Sequence, residues 1–386
     1  MHAPLREPTR VGNGRLRQDV LDEISVESPA LAYDLDVVRS RLREFAAAFQ
    51  GRVGVRYAVK CNPDPFVLRV VAEEGAGFEV ASLGELLEVL ALGGNAQDTL
   101  YSNPVKPPGH IASAYLAGVR RFAVDSVEEV EKVARVAPGA QVYARLRVDD
   151  TSSRFPLSSK FGCSHDQAER LLLRSRELGL EPIGLTFHVG SQCTDVDAWA
   201  HAVRKCAPVM SSLSRQGIHV TMLDLGGGFP ADYGAEPVPS LRAIGARVLT
   251  ALAELPYLPD EIVCEPGRAV VAEAATLITT VIGRTERNGR HWVFVDVGAY
   301  NGLMEAAQTG GRMEFPLSSS RQPGAGTLRG TLTGPSCDSS DTLFQDAELP
   351  ADIAVGDRLY IGAAGAYSLC YAAPFNGFPV PRPVYL

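Results

Sequence analysis

The stretch Val55-Arg56-Tyr57-Ala58-Val59-Lys60-Cys61-Asn62-Pro63 carries an apolar run into a lysine and then into a proline turn. A short apolar run that ends in a turn and precedes a helical pattern is the opening unit of a parallel α/β architecture. Runs of this kind occupy 55–60, 77–82, 99–103, 121–125, 141–148, 184–189, 222–225 and 261–264, with amphipathic segments such as 83–92 and 164–178 between them. Eight alternations predict a (β/α)8 TIM-like barrel over residues 28–274. Beyond 275 the helical period fades. Runs at 276–283, 291–297, 327–332 and 358–361, separated by Gly, Pro and Ser turns, predict a second, β-rich domain formed by 1–27 and 275–386. Residues 1–18 are expected to be flexible.

Composition narrows the function classes. The 386 residues are 46% hydrophobic and 21% charged, ordinary for a globular protein, and the net charge of −8 disfavours a nucleic-acid partner. No apolar stretch reaches the roughly 20 residues that cross a bilayer. The start of the chain, with Arg6, Glu7, Arg10, Arg15 and Arg17, lacks the apolar centre of a secretory signal, so a cytoplasmic location without membrane attachment is expected. Seven scattered cysteines without a C-x-x-C pair argue for reduced thiols and against a metal site.

A barrel places its chemistry at the C-terminal ends of its strands. Lys60, Glu79, Asn103, Arg145, His188, Asp224 and Glu265 all fall at or near such ends. Lys60 follows Tyr57, Ala58 and Val59, and partial desolvation there is expected to lower its pKa and free the amine to react with an aldehyde. Gly226-Gly227-Gly228 after the seventh run and Glu265-Pro266-Gly267-Arg268 after the eighth form a predicted phosphate cradle of backbone amides and a guanidinium. A reactive lysine, a phosphate cradle and a strand-end carboxylate together specify pyridoxal 5'-phosphate, with Glu265 keeping the pyridine nitrogen protonated. His188 is placed to stack on the ring and Ser191 to reach the phosphate.

These residues resemble the ornithine decarboxylase family of fold type III pyridoxal-phosphate enzymes, which share an alanine racemase-like barrel, and most nearly its short bacterial ornithine/lysine members. The resemblance rests on Tyr57-Ala58-Val59-Lys60-Cys61-Asn62, Phe78-Glu79-Val80-Ala81-Ser82, Lys160-Phe161-Gly162, His188-Val189-Gly190-Ser191, Gly226-Gly227-Gly228-Phe229, Glu265-Pro266-Gly267-Arg268, Gly334-Pro335-Ser336-Cys337-Asp338, Gly365-Ala366-Tyr367 and Phe375-Asn376-Gly377-Phe378. It implies that Lys60 carries the coenzyme, that Glu79, Arg145, His188 and Glu265 surround its ring, and that Ser191, Gly226, Gly227, Gly228, Gly267, Arg268 and Tyr367 hold its phosphate. It also implies a homodimer with shared active sites. Cys337 and Asp338 would then come from the partner subunit, Cys337 as proton donor and Asp338 as the group that binds a distal amine, and Lys160 would form an inter-subunit ion pair. Phe375 would give the scissile carboxylate apolar surroundings. The family's specificity helix corresponds to 296–305, where Tyr300 and Glu305 are the candidate substrate contacts; Glu305 also has a reading as a solvated helix residue.

The activity so implied is decarboxylation of a basic L-amino acid, L-ornithine to putrescine or L-lysine to cadaverine. Two rival enzyme readings act on diaminopimelate, where relatives generally carry Cys-Glu-Ser in place of Cys337-Asp338-Ser339, or on a carboxylated diamine conjugate. A rival of another class is a non-catalytic coenzyme-binding or decoy protein.

Overall fold

A computed structural model describes residues 26–234, 236–311, 313–321 and 326–386, together with 10, 11, 15, 16, 20 and 24. Most of the segment 1–18, expected to be flexible, lies outside the described residues. The chain divides into two units: 39–230 with 238–269, and 1–38 with 231–237 and 270–386.

The first unit is a closed parallel barrel of β1 (Gly54–Ala58), β2 (Gly77–Val80), β3 (Leu100–Tyr101), β4 (Arg121–Val124), β5 (Gln141–Leu146), β6 (Glu181–Phe187), β7 (Met222–Asp224) and β8 (Glu261–Cys264), in sequential order. β8 closes on β1 through the pairs Val263–Gly54 and Cys264–Val55. Leu100, Ala123, Tyr143, Ile183, Met222 and Val263, one from each of β3 to β8, form a single buried cluster. All the strands but β8 end one or two residues before the apolar runs suggest, because the chain turns there to present polar groups. Helices begin where the sequence provides caps: Asp64 accepts from the amides of Phe66 and Val67, and Ser82 from that of Glu85.

The second unit is built on a mixed sheet of β9 (Ala275–Arg287), β10 (Arg290–Val295), β11 (Leu317–Ser319), β12 (Thr327–Thr333), β13 (Thr342–Pro350) and β14 (Arg358–Ile361), in the order β11-β14-β9-β10-β12-β13. The strand Ala30–Tyr33 pairs with both β9 and Arg382–Tyr385. Ile24, Val26, Ala30, Ala32, Ile278 and Tyr360 are buried together against it. Among the described residues, no helix is long and apolar enough to cross a membrane.

Candidate functional site

Lys60 does not end a strand. It sits in a 3-10 turn, Val59–Cys61, fixed by the Asn62 amide on the Val59 carbonyl and by the Tyr57 hydroxyl on the Asn62 carbonyl. Its ammonium contacts the Glu79 carboxylate of β2. The expected depression of its pKa is overturned. Burial does act to lower it, but the charges of Glu79 and Glu265 and the hydrogen bond that the ammonium donates to Glu79 outweigh burial and raise it. Without a coenzyme, the amine is therefore held as a cation between carboxylates.

Those carboxylates form a buried acidic floor. Asp224 accepts from the Thr186 hydroxyl at 2.7 Å and from the Gly226 amide at 2.9 Å. Burial pushes its pKa up to about 6. Glu265, 7% exposed, is raised well above the usual carboxylate range by burial and then by the charges of Asp224 and Glu79. Glu85, in the first turn of the helix Leu83–Ala91, is raised to about 7 by burial and by Glu79. Arg145 on β5 lies over the Phe161 ring, and burial lowers its pKa. A carboxyl whose folded pKa is raised favours folding while protonated, and this contribution is lost as pH rises from the unfolded value through the folded one. Asp224→Asn is accordingly expected to stabilise the coenzyme-free protein by about 1–3 kcal/mol at pH 7.5. The gain shrinks as pH falls below 6, as measured by urea unfolding at several pH values; a gain independent of pH would contradict the assignment.

His188 follows β6. Its Nδ1 accepts from the Gly190 amide at 3.0 Å, which places the imidazole proton on Nε2. Burial, then Arg145 and Lys60, push its pKa well below the ordinary value, so the ring is neutral. A Cβ on Gly227 would lie 3.0 Å from Nε2 and 2.8 Å from the Glu265 carbonyl, and one on Gly228 would lie 2.4 Å from the Gly190 carbonyl. Gly226 and Gly228 adopt φ of +61° and +99°. Among the described residues, no protein acceptor takes the Gly227 or Gly228 amide. Beside this turn Arg268, 3% exposed, donates from Nε and Nη2 to the Ser191 hydroxyl at 3.3 and 3.1 Å. Two uncommitted amides, a hydroxyl and a buried guanidinium fit a phosphate dianion, while the lysine and the acidic floor fit an aldehyde and a ring nitrogen. The barrel unit thus brings together Lys60, Glu79, Arg145, His188, Ser191, Gly226, Gly227, Gly228, Glu265, Gly267 and Arg268.

The β-rich unit holds a second group. Tyr300 packs on Phe375 with ring centroids 4.7 Å apart and donates to Asp338 at 3.1 Å. The exposed Cys337 thiol points to Asn376 Oδ1 at 3.6 Å. The Ser340 amide and the Tyr300 hydroxyl keep the Asp338 carboxyl below its ordinary pKa, hence ionised. Most of the segment 296–305, expected to be a helix, is not helical, and the short helix begins only at its end. It spans Met304–Gln308 and buries Glu305 at 6% exposure, against its reading as a solvated residue. Tyr367 adopts φ of +55° and packs on Tyr371. In the barrel unit, Lys160 is exposed over the Phe161 ring and, among the described residues, forms no ion pair within its own chain.

Sequence reasoning missed Ser102, which reaches Glu265, Tyr143, which reaches Ser102, and Asp341, 1% exposed. Asp341 accepts from the amides of Ala299 and Ser336 at 2.7 and 3.0 Å and so braces the two loops that carry Tyr300 and Cys337. Gly298 and Gly334 are the signal for it. A Cβ on either would collide with the Asp341 carboxylate.

The pyridoxal-binding domain of the pyridoxal-dependent decarboxylases matches residues 35–272. The chain is 34% identical to a lysine/ornithine decarboxylase of Selenomonas ruminantium over 92% of its own length and 88% of the relative's. It is 33% identical to antizyme inhibitor 2 of Xenopus laevis over 94% of its length and 82% of that protein's. Its structure resembles that of a lysine/ornithine decarboxylase from Vibrio vulnificus complexed with cadaverine, with a TM-score of 0.85, 32% identity, and coverage of 96% of this chain and 97% of that one.

Proposed function

Because the chain belongs to the pyridoxal-dependent decarboxylase family, we propose that it decarboxylates a basic L-amino acid, with L-ornithine as the first-choice substrate and L-lysine as the second. The observation that carries this reading is the ionised Asp338, hydrogen-bonded to Tyr300 beside Phe375, which suits a substrate ending in an ammonium. A carboxylated terminus such as that of diaminopimelate would meet a like charge there.

Pyridoxal phosphate, when bound, supplies an electron sink for the pair left behind by departing CO2. Lys60 would hold the coenzyme's aldehyde carbon through its amine. Glu265 would serve the ring nitrogen, His188 would cover the ring as a neutral imidazole, and Glu79 and Arg145 would support its surroundings. Ser191, the Gly226–Gly228 turn, Gly267 and Arg268 would hold the phosphate, with Tyr367 as the resemblance implies. Phe375 excludes water from the scissile carboxylate, which favours loss of CO2. Cys337 then delivers a proton to Cα. In this reading the enzyme is a cytoplasmic homodimer, Cys337 and Asp338 serve the partner's barrel, and Lys160 pairs with a carboxylate across the interface.

The deciding experiment measures CO2 release by the coenzyme-loaded protein from ornithine, lysine, arginine, 2,4-diaminobutyrate and diaminopimelate in parallel. Preference for ornithine or lysine is expected. Release from none of them, with coenzyme bound, would favour a non-catalytic coenzyme-binding or decoy protein. Replacing Cys337 with Ala is expected to preserve CO2 release while an aldehyde replaces part of the diamine product, as read by chromatography. Unchanged product purity would remove Cys337 from its role.

A further inference from the structure

Behind Glu265 runs a chain of hydroxyls. The Ser102 hydroxyl donates to Glu265 Oε1 and lies 2.8 Å from the Tyr143 hydroxyl. A serine hydroxyl has one hydrogen. With that hydrogen spent on Glu265, Tyr143 must be the donor to Ser102. Tyr143, on β5, is fully buried, and burial with the charges of Glu265 and Asp224 keeps its phenol protonated, so it remains a donor. Ser102, just beyond β3, is anchored by its backbone: its amide donates to the Val80 carbonyl at 3.1 Å, and the neighbouring Asn103 side chain donates to the Ala81 carbonyl at 3.2 Å. The buried Lys106 fixes the same turn from the other side, donating to the carbonyls of Asn103 at 2.8 Å and Ala123 at 2.7 Å. The donor is thus aimed by three strands of the barrel.

We propose that Ser102 and Tyr143 are positioning residues acting in series on Glu265, Tyr143 donating to Ser102 and Ser102 to the carboxylate, so that Glu265 stays ionised and correctly turned toward the coenzyme's ring nitrogen. This rests on the assignment of Glu265 to that nitrogen. The acidic floor explains the need. Burial, then Asp224 and Glu79, disfavour charge on Glu265, and the hydrogen bond from Ser102 acts in the opposite direction, as the coenzyme's protonated ring nitrogen would. Without the two hydroxyls, Glu265 would take the proton that the ring nitrogen must keep.

The test uses holoenzyme carrying coenzyme labelled with nitrogen-15 in the ring, read by NMR, alongside steady-state kinetics. Ser102→Ala is expected to move the nitrogen resonance toward its unprotonated position and to lower kcat about tenfold, the scale of one hydrogen bond to a charged group. KM should stay within about twofold. Ser102→Thr should restore both, and Tyr143→Phe, nearly isosteric, should give a smaller change in the same direction. Because the residues act in series, the double variant should be no worse than Ser102→Ala alone. A wild-type nitrogen resonance and kcat in Ser102→Ala, with only the melting temperature lowered, would overturn the proposal, as would additive losses in the double variant. If Ser102→Ala fails to fold, Tyr143→Phe decides by the same readout. Glu265→Gln separates the two levels: if it leaves the resonance unchanged, the assignment of Glu265 itself is wrong; if it shifts the resonance and the hydroxyl variants do not, only the present inference falls.

Discussion

Lys60→Ala lowers the rate of CO2 release on the order of 10⁴-fold or more, the scale of loss when a covalent catalyst is deleted. The side chain occupies the turn Val59–Cys61 with its amine against Glu79. Lys106 is instead fully buried in its own pair with Glu129, and Lys160 sits exposed over Phe161. Lys60→Arg keeps the positive charge among the carboxylates but offers no nucleophile, and it should lose activity equally. The phosphate grip survives in both variants, so coenzyme still binds, yet borohydride no longer fixes it to the chain. Near-normal diamine formation by either variant would end the assignment.

Arg268→Ala weakens coenzyme binding about a hundredfold, as expected when one partner of a buried charged pair is removed. The guanidinium is 3% exposed and meets Ser191 through two nitrogens. Lysine at this position offers a point charge without the fork, so Arg268→Lys recovers only part of the affinity. With saturating coenzyme the turnover of Arg268→Ala should approach the normal rate, since in the proposed reading the residue holds phosphate and does not touch the reacting carbon. Coenzyme titration followed by fluorescence checks the first claim, and kcat at high coenzyme concentration the second. Unaltered affinity would place the phosphate elsewhere.

The barrel was legible because each of its strands is a short apolar run closed by a polar residue and followed by a helical period. Strand ends were overextended where the backbone curls without a change in hydropathy, as at Val59 and Lys60, whose side chains alone do not distinguish a strand from a 3-10 turn. The residues of the barrel-mouth group were visible because lysine, histidine, arginine and glycine triplets are conspicuous at strand ends. Ser102 and Tyr143 were not. A serine after a two-residue strand and a tyrosine inside another carry no local signal, and their meeting depends on the register of β3, β4 and β5 around the ring. Asp341 was hidden for the same reason, its partners lying 42 and 5 residues away.

The seam between the last barrel strand and the first carries one more consequence. The Ala58 amide donates to the Pro266 carbonyl at 3.1 Å, and Gly267 lies so near Cys61 that a Cβ would stand 2.7 Å from that residue's own. The segment bearing Lys60 and the segment bearing Arg268 are thereby riveted at the place where the ring of strands shuts. In the proposed reading these segments grip opposite ends of one small molecule, and they reach that spacing only when the first and eighth strands have zipped together. Uptake of the coenzyme therefore doubles as a gauge of ring closure, and a chain that has failed to complete its circle has no means of becoming a catalyst.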